Sequence, residues 1–164
     1  MAVLVVRHGL SEANNRHNLG TPAFGAADAR LMEFGRQQAA LMGQTLRQEH
    51  GIDCAAIEVA VSGMARTRET ALAAGLVTMT EYPALNEVDQ TSDRQTVRRM
   101  IDERRLSATA LAAAEAVLAD PPRETIWITH GLLIAALCRL TGVPETDRFI
   151  PRFCEIRRLP LPGR

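Results

Sequence analysis

The chain has 164 residues, 19 basic and 19 acidic side chains, 46% hydrophobic residues and no net charge at pH 7. That length fits one domain with a buried core, and the ordinary composition fits a soluble globular fold. The neutral balance gives no electrostatic footprint for nucleic acid or an anionic membrane, and the longest strongly apolar stretch, 132–138, is too short to span a bilayer.

Residues 3–6 predict a first strand, with Arg7-His8-Gly9 standing where it ends. Arg7 cuts this apolar run early and no basic region precedes it, so a signal peptide is not expected and a cytoplasmic location is. A loop rich in Asn, Gly and Pro runs from 9 to about 28, too long for a simple connector. From 31 to about 49 the spacing of Leu31, Phe34, Leu41, Met42 and Leu46 predicts a helix with these residues on its buried face. A second strand, 57–61, ends in Ser62-Gly63, and a helix over 64–74 stops at Gly75.

A weaker, alternating strand over 77–82 is closed by Pro83. Ser92-Asp93-Arg94-Gln95 has capping-box spacing and opens a helix with Val97, Met100 and Ile101 on one side. Ser107 opens the next helix, which stops at Asp120-Pro121-Pro122. A strand over 125–129 ends in a second His-Gly pair, His130-Gly131; a helix from 132 to about 140 and a last strand near 153–159 follow. No repeat or linker interrupts the alternation. It predicts one α/β domain over 1–164, a three-layer sandwich whose mostly parallel central sheet is flanked by helices. In such sheets ligands collect at the carboxyl ends of the strands.

Cys54, Cys138 and Cys154 are odd in number and lack Cys-x-x-Cys spacing, which reads as reduced thiols rather than a disulfide frame. The four histidines show no metal-ligand spacing, so neither a metal nor a cofactor is expected. Every basic side chain is arginine, which rules out Schiff-base and P-loop lysine chemistry. An anion here must be held by arginine, histidine or backbone amides. Arg7, His8 and His130 end two strands, and Arg66 lies in the first turn of the helix after a third. Unpaired amides of the helix after His130 are expected at the same edge. These groups can converge on one small, multiply charged anion, whose oxygens match arginine's fork. Arg68 reads as a solvated surface residue.

The chain resembles the histidine phosphatase superfamily, which includes cofactor-dependent phosphoglycerate mutases and many small phosphatases, from about residue 3 to 143. The segment from Arg7-His8-Gly9 through Ser11 to Asn14 is similar to its opening signature, and Leu31 to Ala39 to its first helix. Ser62 to Ala71 resembles the segment carrying a second phosphate-binding arginine, here Arg66. Leu85-Asn86-Glu87 resembles that of the acid/base glutamate, and Thr129-His130-Gly131 that of the second histidine. The resemblance implies that His8 attacks phosphorus, that Arg7, Arg66 and His130 hold the phosphoryl oxygens, and that Glu87 moves the proton. Asn14, with Ser11 and Gly131, would bind substrate. Asp89 and Asp93 are the rivals for the role of Glu87.

Three departures stand out. Gly63 replaces a usual proline, and Met32 replaces a usual threonine at the cost of a helix cap. The familiar stretch after Glu87 is missing, and only 43 positions separate Glu87 from His130. A small cover, roughly 83–120, leaves the pocket open to water and favours hydrolysis over phosphoryl return. The expected function is a metal-independent phosphatase acting on a small phosphorylated metabolite or a phosphoprotein. Mutase-type transfer, protein phosphohistidine phosphatase activity and a non-catalytic phosphate-binding module are the alternatives. Specificity is expected in the 10–28 loop and the 82–105 region, with Phe24, Tyr82 and Arg94 as candidate pocket residues. Oligomeric state is left open.

Overall fold

The computed structural model describes residues 2–88, 94–145 and 148–161. Five strands form one sheet: β1 (Ala2–Arg7), β2 (Glu58–Val61), β3 (Thr78–Glu81), β4 (Ile126–Thr129) and β5 (Ile156–Pro160), in the order β3-β2-β4-β1-β5. β1 and β4, β2 and β4, and β2 and β3 pair in parallel. β5 alone runs antiparallel, along the outer side of β1. The expected α/β class and mostly parallel sheet are therefore found.

Alternation within the strands divides the core into two layers, because successive side chains point to opposite faces. Leu4, Val6, Val59, Val61, Ile126 and Ile128 turn to one face and meet helices α1 (Glu33–Gln48) and α2 (Ala65–Ala74). Val3, Val5, Ala60 and Trp127 turn to the other and meet α4 (Ala108–Ala119) and α5 (Gly131–Leu140). Helix α3 (Arg94–Asp102) precedes α4. Ser107 caps α4 by accepting a hydrogen bond from the Ala110 amide, as its position suggests. Gly75 ends α2 with a left-handed φ of 87° that other residues resist.

Some expectations need correction. Phe34 and Leu41 lie on the outer side of α1, 59% and 62% exposed, although their spacing assigned them to the core. Leu31, Met42 and Leu46 are buried as expected, and Gly35, Ala39 and Gly43 complete the buried face. Glycine sits there because a Cβ on Gly35 or Gly43 would run into the backbone of Leu10 or Ala74. The helix buries its smallest residues in order to approach its neighbours closely. The last strand also starts later than expected, because residues 153 and 154 form a turn in which Cys154 takes a φ of 58°. Met32 makes no side-chain cap at the start of α1. Ser92 and Asp93 of the predicted capping box, together with Asp89, lie outside the described residues.

Chain direction places the site. α1 leaves β1 on one face of the sheet and α5 leaves β4 on the other, yet β1 and β4 are neighbours. Connections that depart to opposite faces open a crevice beyond the carboxyl ends of the two strands.

Candidate active site

His8 follows β1, His130 follows β4 and Ser62 follows β2, three adjacent strands, so the sheet brings these residues side by side. The two imidazoles meet edge to face with centroids 5.0 Å apart. His8 is buried, and its Nδ1 lies 2.7 Å from the Gly9 carbonyl oxygen. A carbonyl only accepts, so Nδ1 carries the proton and the neutral ring keeps its lone pair on Nε2. Burial holds the His8 pKa well below the usual imidazole value, and the charges of Arg7 and Arg66 push it the same way. The ring is neutral near pH 7.

His130 is held from behind. Its Nε2 lies 2.8 Å from Ser62 Oγ, which also lies 2.9 Å from Thr67 Oγ1 and accepts from the Met64 amide. Its Nδ1 is buried and has no hydrogen-bond partner among the described residues. Burial again lowers the pKa well below the ordinary value, helped by His8, Arg66 and Arg7.

Arg7 donates through one terminal nitrogen to Pro151 O at 2.7 Å, and its guanidinium lies over the Phe153 ring at 4.0 Å. Burial pulls its pKa down to about 10, partly opposed by Glu87, so the charge persists at neutral pH. Arg66 donates to Ala26 O at 2.9 Å, which ties the 9–28 loop to α2. Both guanidiniums leave a buried Nε without a partner among the described residues. Buried N–H groups are normally satisfied. Three orphans in one cluster, Arg7 Nε, Arg66 Nε and His130 Nδ1, suit an oxyanion.

Glu87 reaches the start of α5. One carboxylate oxygen accepts from the amides of Val88 at 3.0 Å and Leu133 at 3.3 Å, the other from Leu132 at 3.3 Å. The first-turn amides of α5 were expected to receive a bound anion, and a carboxylate of the chain itself occupies two of them. A glutamate at this position is favoured by the helix dipole. Burial nevertheless raises the Glu87 pKa above its usual value, against the pull of the amides and of Arg7.

Arg7, His8, Asn14, Arg66, Glu87 and Gly131 border one cavity of about 200 Å³. Gly131 is required by close approach: a Cβ there would lie 2.6 Å from Ile150 Cγ2 and 3.2 Å from Arg7 Nε. Ser11 does not border the cavity. It is fully buried and donates to Asn14 Oδ1 at 2.7 Å, fixing which end of that amide is free. Phe24 borders the cavity, but Tyr82 does not; its hydroxyl reaches Glu124 in a separate depression. The Arg94 side chain lies outside the described set. Arg68 is exposed and pairs with Glu81 at 3.0 Å.

A model of the histidine phosphatase superfamily (branch 1) matches residues 3–105, more than half of the chain. The chain belongs to that superfamily. Solved structures agree on the fold. A protein of Thermus thermophilus superposes with a TM-score of 0.69 at 19% identity, covering 100% of this chain and 96% of its own. A Mycobacterium tuberculosis open reading frame gives 0.65 at 24% identity, covering 96% and 89%. A mycobacterial glucosyl-3-phosphoglycerate phosphatase, solved in complex with VO3, gives 0.61 at 18% identity, covering 96% and 90%. No curated protein matches the sequence significantly.

Within this histidine phosphatase scaffold the sequence reading missed the groups that hold the cluster in place. Ser62 and Thr67 anchor His130, Thr70 Oγ1 accepts from the Gly9 amide at 3.0 Å, and Phe153 underlies Arg7. The spacing Ser62-x-x-x-x-Thr67-x-x-Thr70 was the available signal, since it sets Thr67 and Thr70 on one side of α2 with Ser62 at the end of β2 just before it. Among the described residues no group of three or more His, Cys, Asp or Glu is arranged to hold a metal ion. No described helix is long and apolar enough to cross a membrane.

Proposed function

We propose that this protein is a metal-independent phosphatase that hydrolyses a phosphomonoester through a phosphohistidine on His8. Arg7, Arg66, His130 and Glu87 are its other catalytic residues; Asn14 and Gly131 border the substrate, and Ser11 sets the Asn14 amide. The observation that carries this reading is the state of His8: buried, neutral, with its proton committed to Gly9 and its lone pair on Nε2, beside two arginines.

Nε2 forms a bond to phosphorus as the ester P–O bond breaks. The leaving alkoxide takes the proton of the Glu87 carboxyl group and departs as an alcohol. A water then gives a proton to the Glu87 carboxylate while its oxygen bonds to phosphorus and the P–N bond breaks. Phosphate leaves, and His8 and protonated Glu87 are restored. Arg7, Arg66 and His130 meet the charge spread over the phosphoryl oxygens, the task that a metal performs in other phosphoryl-transfer sites. The raised Glu87 pKa supports both roles, because a carboxyl group can donate only what it still holds near the working pH.

The chain acts as one domain. Within the 83–120 stretch, α3 covers the cavity from one side, while α4 packs against α5. So slight a cover favours water as the phosphoryl acceptor, which is why hydrolysis ranks above mutase-type return.

Incubation with radiolabelled acetyl phosphate should trap an acid-labile, alkali-stable adduct on the wild type and none on His8→Ala. Phosphate binding without adduct or turnover would make the protein a non-catalytic module. Product phosphorylated at a new position would make it a mutase, and turnover confined to phosphohistidine proteins would assign it to that substrate.

A further inference from the structure

The cavity divides sharply by chemistry. Its polar lining consists of Arg7, His8, Asn14, Arg66 and Glu87, and under the phosphatase reading each of these serves the phosphoryl group or its proton. The remaining described side chains are a collar of Phe24, Val88, Val97, Ile101, Leu132 and Ile150, together with Ala13. Two of these, Phe24 and Ile101, stay 42% and 40% exposed, large apolar groups left open to water at the cavity mouth. They come from separate elements, the 9–28 loop and α3, which both border the cavity.

Resting on that reading, we propose that the substrate is a phosphomonoester of an apolar alcohol, a short alkyl or aryl phosphate whose carbon skeleton fills the collar. A substrate hydroxyl or carboxylate pressed against these walls would lose its water and find no side-chain partner among the described residues of the lining, whose polar side chains serve the phosphoryl group. An alkyl chain or ring there covers exposed apolar side chains and is favoured in proportion to the area removed from water. The space suits such a group: apolar cavities of about 150 Å³ accept a benzene ring, and this one offers about 200 Å³ for ring and phosphoryl group together. Charges outside the collar lie in two neighbouring depressions: Arg16 and Arg98 beside Val97 and Ile101, and Asp102, Arg104 and Arg148 beside Ile101 and Ile150. Arg98 also lies 3.9 Å from Asp102.

The test is kcat/KM across n-alkyl phosphates from ethyl to hexyl, whose leaving groups differ little in basicity, set beside glucose 6-phosphate and 3-phosphoglycerate. Each added methylene should raise kcat/KM by about two- to fourfold until the collar is filled. The two polar esters should fall at least tenfold below hexyl phosphate. Ile101→Asn, a change on an exposed helix position, should flatten the rise. A flat or falling series, or a preference for the phosphorylated acid, overturns the apolar assignment while leaving phosphatase activity demonstrated; the second result would hand recognition to the arginines of the neighbouring depressions, Arg16 and Arg98 or Arg104 and Arg148. If no ester turns over, the phosphatase reading fails instead, and calorimetry with alkylphosphonates decides the collar separately. Affinity that climbs with chain length supports apolar recognition, and affinity independent of chain length overturns it.

Discussion

Glu87 accepts two amide hydrogen bonds from the first turn of α5 and a third from Val88, yet its pKa is raised. Burial therefore outweighs the amides, and the side chain can hold a proton for an alkoxide that needs one. Glu87→Gln should cost far more with an alkyl phosphate than with a nitrophenyl phosphate, because only the poor leaving group depends on protonation. Equal losses along a leaving-group series would move the acid role to another residue. Ser62 is a different kind of participant, a positioning residue that acts through His130. Its hydroxyl lies 2.8 Å from Nε2, and when Ser62 donates there the proton of the neutral ring sits on the buried Nδ1. Removing the hydroxyl leaves a buried ring nitrogen unpaired, at a cost of about 2 kcal/mol of stability, and kcat/KM should fall as His130 loses the partner that fixes its ring. Nitrogen NMR of the His130 ring in Ser62→Ala should show the tautomer balance altered. Unchanged ring shifts together with unchanged kcat/KM would reduce Ser62 to a packing residue.

Helix α5 is held at its start by contacts that leave no room for a side chain at its first position. Gly131→Ala would push a methyl group against Ile150 Cγ2 and against Arg7 Nε. Ile150 can give way, but Arg7 is fixed between Pro151 O and the Phe153 ring, so its guanidinium is displaced. Overpacking of this kind costs about 1–3 kcal/mol of stability, and kcat/KM should fall with KM rising as Arg7 moves. A melting temperature and kinetics equal to those of wild type would show that the contact relaxes freely. The same elements explain what the sequence made legible. His8 and His130 stood out because an apolar run ending in His-Gly is a local pattern, and Arg66 because its offset from the end of β2 is short. Nothing local marks Glu87 as the cap of α5, since the bonds reach to residues 132 and 133. Phe153 beneath Arg7 and Ser62 behind His130 are likewise products of strand order, which pattern alone does not dictate. The buried face of α1 was misread for a related reason. Periodicity weighs Phe34 and Leu41 heavily and glycine hardly at all, whereas close packing against Leu10 and Ala74 selects Gly35 and Gly43.

Gathering two histidines and two arginines inside one small fold ties its stability to pH. His8 and His130 have folded pKa values well below 6.5, whereas in the unfolded chain both titrate near 6.5. Above that value both states hold neutral rings, and the pair contributes no slope. As the pH falls through 6.5, the unfolded chain takes up two protons that the folded cluster refuses, and unfolding becomes easier. Glu87 works in the opposite direction: with its folded pKa above 4.5, the folded state binds its proton first and recovers part of the loss. Glu145, whose pKa is lowered by Arg139 and Arg104, gives up its contribution only as the pH falls below 4.5, outside this window. Urea midpoints measured from pH 8 to 5 in phosphate-free buffer should therefore hold steady down to about 6.5 and then decline, with a slope between one and two protons. His130→Gln should shed about one proton of that slope. Stability that stays level from 8 to 5 in the wild type would mean that the imidazoles titrate as they do in water, with neither burial nor the two guanidiniums holding them neutral below 6.5.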